Sequence, residues 1–215
     1  MKKLVLVLVA GAFIATTACN NGPKGESAQV TETQQAAASQ GADYAVDGAA
    51  STLQWSGYGP ATKEHKGTFK ITEGKLTVAN GQLASGTFTV DVNSLNNSDL
   101  EGEYKGKLEA HLKSADFFNS EKYPSAKFEI TGVQPLTGDS VNNYTVSGNL
   151  TLKDSTKNIS FPAKINVSDA SVDAKATFTI NRTWWGMSYG NDQSLGDKFI
   201  KPEVGVSFDI KANKL

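Results

Sequence analysis

From Tyr44 to the C-terminus, apolar residues alternate with polar ones along most of the chain. This period of two gives a strand one apolar and one polar face, as in an antiparallel sheet that covers a core on one side. Turn-forming residues separate the runs, for example at Glu73-Gly74, Asn80-Gly81 and Thr137-Gly138-Asp139, and from Lys153 to Asn158. About eight or more strands at this spacing predict an all-β sandwich or a closed barrel, and closure would remove exposed edges. The alternating segments are 69–71, 76–78, 88–92, 128–130, 144–146, 150–152, 159–167, 178–180 and 204–210.

Residues 100–115 break this period, because leucine or tyrosine recurs there at every fourth position and predicts a helix. Asp99 is expected to cap the start of this helix. The aromatic pair Phe117-Phe118 follows it, which suggests a short helix that packs as a lid across one barrel mouth. The helical stripe consists of Leu100, Tyr104, Leu108 and Leu112.

The charge balance excludes one class of partner. The 215 residues include 21 basic and 22 acidic side chains, so the net charge is −1. No basic field is therefore available to bind nucleic acid.

The N-terminus has the features of a bacterial lipoprotein precursor. Lys2-Lys3 precedes an apolar stretch, residues 4–15, that is too short to span a bilayer as a permanent helix. Small residues then lead to Cys19, the only cysteine of the chain, which cannot form an internal disulfide. We expect residues 1–18 to be a signal peptide and Cys19 to be lipidated, so that its acyl chains anchor the protein in a membrane.

Residues 20–43 contain no aromatic residue and are rich in Ala, Gln, Ser, Thr and Gly. Such a composition buries too little apolar surface to offset the entropy of ordering, so residues 19–43 are expected to be the lipidated cysteine and a flexible tether. No acidic run follows Cys19, which favours the periplasmic side of the bacterial cell envelope. The barrel domain would then comprise residues 44–215.

The segment GMSYG at residues 186–190 fits the G-x-S-x-G pattern of a hydrolase nucleophile. That motif requires a strand-to-helix turn in a parallel α/β sheet, whereas antiparallel strands and loop flank Ser188. The only histidines, His65 and His111, both precede it. These two histidines also make a poor metal set, so we expect no catalytic residue, no metal and no cofactor other than a bound lipid.

Several motifs in fixed order identify the chain as similar to a known family. They are TLQW at 52–55, HKGTF at 65–69, LKSADFF at 112–118, Y-P-x-A-x-F at 123–128, GNLTLK at 148–153, F-x-I-N-R at 178–182 and WGM at 185–187. In this combination they closely resemble the YceI-like family, the lipocalin-like polyisoprenoid-binding proteins of bacteria. The resemblance runs from about Tyr44 to the C-terminus. It implies an extended eight-stranded antiparallel barrel, an apolar channel for an isoprenoid chain, and no established catalytic activity.

On this basis we expect non-enzymatic binding, carriage or sequestration of a long isoprenoid-type lipid, such as a polyprenyl or quinone tail. His65 and Arg182 could contact a polar headgroup, although Arg182 could equally pair with a nearby carboxylate. Inward-facing aromatic residues are expected to line the channel, and others to form its mouth or lid. The lining set is Trp55, Phe69, Phe88, Phe128, Phe161 and Phe178, and the mouth set is Phe117, Phe118, Trp184, Trp185 and Met187.

Two other functions stay open on the sequence alone. An eight-stranded barrel is just wide enough to be filled by its own side chains, so the protein could be a structural or stress-related envelope protein with no ligand. An enzyme that acts on such a lipid would need titratable groups inside the channel. The sequence also leaves open whether two copies form a homodimer.

Overall fold

The computed structural model describes residues 22–215. The predicted signal peptide and Cys19 therefore lie outside the described residues. Within them the chain forms strands, one α-helix and three short 3₁₀ turns. The strands are β1 (Glu26–Ser27), β2 (Gln29–Thr31), β3 (Ala42–Val46), β4 (Thr52–Tyr58), β5 (Glu64–Ala79), β6 (Gln82–Asn97), β7 (Ser125–Pro135), β8 (Tyr144–Leu152), β9 (Ser155–Val167), β10 (Ser171–Asn181) and β11 (Glu203–Lys214). The helix is α1 (Gly102–Lys113), and the 3₁₀ turns are Pro60–Thr62, Arg182–Trp185 and Gln193–Lys198.

The strands close into a barrel with eight positions, as predicted. Each strand from β5 to β11 pairs antiparallel with the next. Strands β3 and β4 both lie between β11 and β5, so together they act as one interrupted strand that completes the circle. The interruption is a tight turn in which the Asp47 carboxylate accepts the N–H groups of Ala49 and Ala50 at 2.9 and 3.0 Å.

Closure between β9 and β10 is incomplete at one end of the barrel. These strands pair only from Lys164 to Val167 against Val172 to Lys175, next to their connecting turn, and then separate. The N-terminal segment enters the opening: β1 pairs parallel with β10, and β2 pairs antiparallel with β9. Between them, Ala28 is 5% exposed and its N–H donates to the Thr179 carbonyl at 2.9 Å. The barrel thus has an additional strand at the end where β9 and β10 part.

This arrangement differs from the flexible tether expected for residues 19–43. We define residues 22–41 as the belt: its first part fills the opening between β9 and β10, and its later part follows the outside of the barrel. The Asn149 side chain both accepts the Gln34 N–H at 3.1 Å and donates to the Gln34 carbonyl at 2.7 Å. Further on, the Ala37 N–H donates to the Ile130 carbonyl at 3.0 Å. Because backbone groups make these contacts, the polar composition of the belt does not prevent it from packing.

The helix forms where the stripe predicts it, but its cap differs from the prediction. Glu101 precedes the first helical residue in an extended conformation and makes no side-chain capping bond. Asp99 instead turns toward β5 and accepts the Lys66 N–H at 2.8 Å. Tyr104 is 74% exposed, so only the later part of the stripe, Leu108 and Leu112, faces the barrel.

The predicted turns are partly correct. Asn80-Gly81 joins β5 to β6 with positive φ at both residues, as a two-residue hairpin requires. Glu73-Gly74 is not a turn; it lies within β5, beside an irregularity in the pairing with β6. A Cβ at Gly74 would come within 2.7 Å of the Val46 side chain, so this glycine permits close strand contact rather than chain reversal.

Candidate ligand-binding cavity

The barrel interior is hollow. A cavity of about 600 Å³ runs between the strands, within the roughly 300–1,000 Å³ typical of small-molecule sites. Phe69, Phe88 and Phe128 point into it and are only partly buried, because the space in front of their rings is unfilled. The alternative of a solid, side-chain-filled core is thereby excluded.

Five phenylalanine rings form a continuous aromatic wall along one side of the cavity. Phe161 stacks on Phe178 with ring centroids 4.1 Å apart and planes inclined by 7°. Phe128 lies 5.8 Å from Phe161 and 6.4 Å from Phe88. Phe208 approaches Phe161 edge-on at 5.9 Å. Each such pair adds roughly 0.5–1.5 kcal/mol beyond the burial of its area, so the ring contacts stabilise this side of the lining.

One end of the cavity is closed by aliphatic side chains. Leu76, Leu83, Ile165 and Ile210 line it there and are each at most 5% exposed. They lie at the end of the barrel that contains the β9–β10 turn. A ligand therefore has its entrance at the opposite end.

The open end, which we call the mouth, carries α1 and the loop after β10. Leu108 and Leu112 of α1 line the cavity there, together with Tyr189 and the backbone around Gly59. Phe118 packs edge-on against Phe69, another lining residue, at 5.5 Å and so joins the segment after the helix to the cavity lining. The helix near one mouth is thus confirmed, and it narrows the entrance without sealing it.

Arg182 supports the mouth from inside. It is 3% exposed, and its guanidinium donates to the carbonyls of Lys201, Tyr189 and Ile200 at 3.2, 2.9 and 3.0 Å. It also donates to the Met187 carbonyl. Burial lowers the pKa of Arg182, although the nearby carboxylate of Glu203 opposes that shift.

These contacts occupy four of the five N–H groups of Arg182. The guanidinium therefore holds the loop 187–201 in place, with main-chain carbonyls rather than a carboxylate as its hydrogen-bond partners. Only one N–H remains for a headgroup, and that role of Arg182 stays a prediction.

His65 lies at the rim with a fixed orientation. Its Nδ1 is 2.8 Å from the Asp99 carboxylate, and its side chain is 17% exposed. Burial raises the pKa of Asp99, but hydrogen bonds from the Lys66 N–H, from His65 and from Asn97 outweigh this and lower it overall. Asp99 thus holds Nδ1, and Nε2 of the ring lies near Gly59 at the cavity edge. His65 therefore borders the cavity at its mouth, and its contact with a headgroup stays a prediction.

Most of the predicted lining residues border the cavity. This holds for Trp55, Phe69, Phe88, Phe117, Phe118, Phe128, Phe161, Phe178 and Met187.

The prediction that Trp184 and Trp185 border the cavity at its mouth is wrong, because neither side chain lines it. After Asn181 the chain enters a 3₁₀ turn, which ends the strand alternation and rotates both indoles away from the cavity. Trp185 is 1% exposed and its Nε1 donates to the Leu150 carbonyl at 3.0 Å, so it is a packing residue of the wall. Trp184 is 40% exposed and lies outside the barrel in a shallow groove beside Ser27–Val30 of the belt.

Ser188 is not placed for nucleophilic catalysis. It is exposed in the loop after the 3₁₀ turn. The two histidines hydrogen-bond to aspartates instead, His65 to Asp99 and His111 to Asp116. Within residues 22–215 there is also no group of three His, Cys, Asp or Glu side chains that could hold a metal ion. In the same residues no helix is long and apolar enough to cross a membrane.

The motifs named above are matched by a model of the YceI-like domain over residues 44–212. This chain belongs to the YceI-like family. Protein YceI of Escherichia coli O157:H7 is 34% identical over 99 residues, which are 46% of this chain and 48% of that protein. A relative from Photorhabdus laumondii is 36% identical over 101 residues, 46% of this chain and 47% of its own length. The matches thus span about half the length of these curated relatives.

Solved structures show the same barrel. BcnA of Burkholderia cenocepacia superposes with a TM-score of 0.62 at 22% identity, covering 77% of this chain and 98% of that one. A polyisoprenoid binding domain from Saccharophagus degradans, implicated in plant cell wall breakdown, gives a TM-score of 0.57 at 16% identity, covering 80% and 98%. At these identities the likeness concerns the fold of this YceI-like chain.

Several lining residues of this YceI-like barrel were missed by the sequence analysis. Val204, Val206 and Phe208 of β11 all face the cavity. Their alternation predicts the strand, and the inward phase of Phe208 would have identified it as a lining residue. Tyr58 and Tyr189 at the mouth had no such signal, because a strand end and a loop carry no periodicity.

Proposed function

We propose that this protein binds a long isoprenoid-type lipid, such as a polyprenyl or quinone tail, and carries or sequesters it in the bacterial cell envelope without catalysing a reaction on it. The observation that supports this is the unfilled cavity, whose deep end and wall consist of aliphatic and phenylalanine side chains. An apolar tail gains about 0.8 kcal/mol for each buried methylene, and the channel needs no other chemistry to hold it.

The polyisoprenoid binding domain of Saccharophagus degradans, which has the same fold, supports this ligand class. The leader and the solitary Cys19 support the envelope location and a lipid anchor on the periplasmic side.

The position of the polar groups favours binding over catalysis. His65 and His111 border the cavity only at its mouth, and each is held by an aspartate. An enzyme that acts on a lipid would place an acid or base beside the reacting atoms, within about 3 Å. The closed end is lined by aliphatic side chains, so either histidine could reach only a group held at the mouth.

The first test is native mass spectrometry of residues 19–215, purified gently from a bacterial host and then incubated with geranylgeraniol or with a longer polyprenol. A retained apolar mass of one ligand per chain supports binding. Protein that stays bare with both probes would favour the empty structural barrel, and a chemically altered probe would favour the enzyme.

A matched pair of variants assigns the retained mass to the cavity. Val90 on β6 faces the cavity, whereas Thr87 on the same strand is exposed on the outer face. Val90→Trp should fill the channel and weaken polyprenol binding by at least about tenfold, or about 1.4 kcal/mol. Thr87→Trp should leave binding unchanged. Equal affinities in the two folded variants would place the ligand elsewhere.

A further inference from the structure

The first described residues lie at the rim of the mouth. The Tyr58 hydroxyl donates to the Gly22 carbonyl at 3.2 Å, and Tyr58 itself borders the cavity. Pro23 lies against β11, since a Cβ at Gly205 would be 3.0 Å from the Pro23 side chain. The belt therefore begins beside the entrance for the ligand.

The belt is packed tightly on the barrel after this point. Gly25 packs so closely on β10 that a Cβ there would approach the Phe178 backbone to 2.6 Å. Ala28 is buried in the seam between β9 and β10, and Gln34 is held by two hydrogen bonds to Asn149. An attachment point just before Gly22 is therefore tied to the mouth end of the barrel and not to a long flexible chain.

The reach of Cys19 is short compared with the barrel. Two residues, Asn20 and Asn21, lie between Cys19 and Gly22, and even a fully extended chain over these three steps spans only about 11 Å. By contrast β11 has 12 residues, which at the usual strand tilt extend about 30 Å along the barrel axis. If acyl chains on Cys19 enter a bilayer, the mouth must therefore lie close to that bilayer. The link is too short for the closed end to face the bilayer instead.

The surface at this end has the side chains that an interface favours. Among residues 22–215, six large hydrophobic side chains are exposed, and four of them belong to segments at the mouth end. Tryptophan and tyrosine prefer the boundary between headgroups and acyl chains, because their rings are apolar and their N–H or O–H groups are polar. The four are Tyr104, Trp184, Tyr189 and Leu195.

From these observations we infer that the mouth end of the barrel is a membrane-docking surface, held against the bilayer by the short link to Cys19. The lipid then passes between bilayer and cavity without crossing bulk water. The inference rests on the envelope anchoring proposed above, and it adds the orientation of the barrel and the bilayer as the partner of this surface.

The solitary cysteine allows a direct test with residues 19–215, which contain the whole barrel and its belt. The chain is coupled through Cys19 to a maleimide lipid in vesicles of phosphatidylethanolamine and phosphatidylglycerol. The matched control carries Cys19→Ser and a cysteine added after Leu215, whose N–H donates to the Asp43 carbonyl at the closed end. This control anchors the same barrel in the opposite orientation.

The first readout is independent of ligand. Phospholipids with brominated acyl chains should quench the fluorescence of Trp184 in the Cys19-coupled protein and not in the control. The fluorescence of the other two tryptophans is measured in Trp184→Phe and subtracted. Equal quenching in the two orientations would overturn the docking surface, whether or not the protein binds a lipid.

The second readout is transfer of geranylgeraniol from the same vesicles. Uptake should be about tenfold faster through the Cys19 link than through the C-terminal link, because the geometry of a link sets the effective concentration. Equal rates would overturn the inference and leave the proposed function intact. Failure of both forms to take up the probe, with Trp184 still quenched in one, would contradict the proposed function only. Sedimentation analysis tests a second copy as the partner. If the protein is a dimer and Trp184→Glu dissociates it, the surface is a contact between two copies, and docking to the bilayer is overturned.

Discussion

Phe161 and Phe178 stack face to face across strands that do not hydrogen-bond to each other at that level. The last paired residues of β9 and β10 are Lys164 and Lys175. From there toward the mouth the two strands separate, and the belt lies between them. The ring pair thus holds the inner side of the seam, and Ala28 holds the outer side.

Because Ala28 is buried where β9 and β10 separate, a charge at this belt position should strongly destabilise the protein. Ala28→Glu should lower the free energy of unfolding by about 2–4 kcal/mol, because it forces a charged side chain into a position that is 5% exposed and disrupts β1 and β2. Ser27→Glu, one residue earlier and exposed, should change stability by less than about 0.5 kcal/mol. Urea denaturation of both variants measures the difference. Equal stabilities would mean that the belt detaches freely and acts as the tether expected from its composition.

Replacing a phenylalanine of the aromatic wall by alanine should lower the free energy of unfolding by different amounts at two positions. Phe178 is 4% exposed, stacks on Phe161 and lies in T-shaped contact with Phe208, so Phe178→Ala should cost about 3–5 kcal/mol. Phe128 faces the cavity and is only partly buried, so Phe128→Ala should cost clearly less, about 1–2 kcal/mol, and should mainly weaken polyprenol binding. Thermal unfolding and ligand titration separate the two effects. Phe161→Asp or Phe178→Asp should abolish lipid retention, but the stacked site is so buried that the loss of fold must be measured alongside.

The pairing of His65 with Asp99 predicts a pH-dependent contribution to stability. The folded-state pKa of Asp99 lies below its ordinary value of 3.8, so the ionised carboxylate stabilises the fold above that value. This stabilisation is lost as the pH falls from 3.8 through the lowered pKa. Asp99→Asn should therefore cost about 1–3 kcal/mol near neutral pH and progressively less in acid.

Asp116→Asn is the matched control, because Asp116 also pairs with a histidine but its side chain is 49% exposed. It should cost less than about 1 kcal/mol at any pH. The measurement is denaturant unfolding across the acidic range. A difference between wild type and Asp99→Asn that does not shrink in acid would contradict the role of the ionised carboxylate.

The turn between β8 and β9 predicts a stabilising change. Lys153 has φ of 56°, a left-handed conformation that costs a residue with a long side chain about 1 kcal/mol. Asparagine adopts it more readily, as Asn80 does in the β5–β6 hairpin. Lys153→Asn should raise the melting temperature by a few degrees, about 0.5 kcal/mol or more. Lys157→Asn in the adjacent strand is the control and should give no increase.

The barrel and most of its lining were predictable for a definite physical reason. Alternation fixes which face of a strand is apolar, and closure turns that face inward, so Phe69, Phe88 and Phe128 could be assigned to the interior. The family motifs then decided between a sandwich and a barrel. Trp184 and Trp185 were assigned to the mouth as part of a loop without periodicity, and the 3₁₀ turn after Asn181 directs both side chains away from the cavity.

The belt escaped prediction because composition records side chains and not backbone partners. Its strands are held mainly by N–H and C=O groups on the free edges of β9 and β10, and these edges exist only once the barrel has formed. Asp99 was assigned to the helix for a similar reason. Its position suits a cap, but the Lys66 N–H and His65, which it actually binds, lie more than 30 residues away in the sequence.

The inserted belt gives the bore a taper. The wall has eight strands at the closed end and a ninth at the other, and the diameter of a barrel grows roughly in proportion to its strand number. Under the proposed function, the apolar tail of the lipid would enter first toward the narrower closed end, and its polar head would stay at the wider mouth beside His65. The strand number alone would then give loading a single direction.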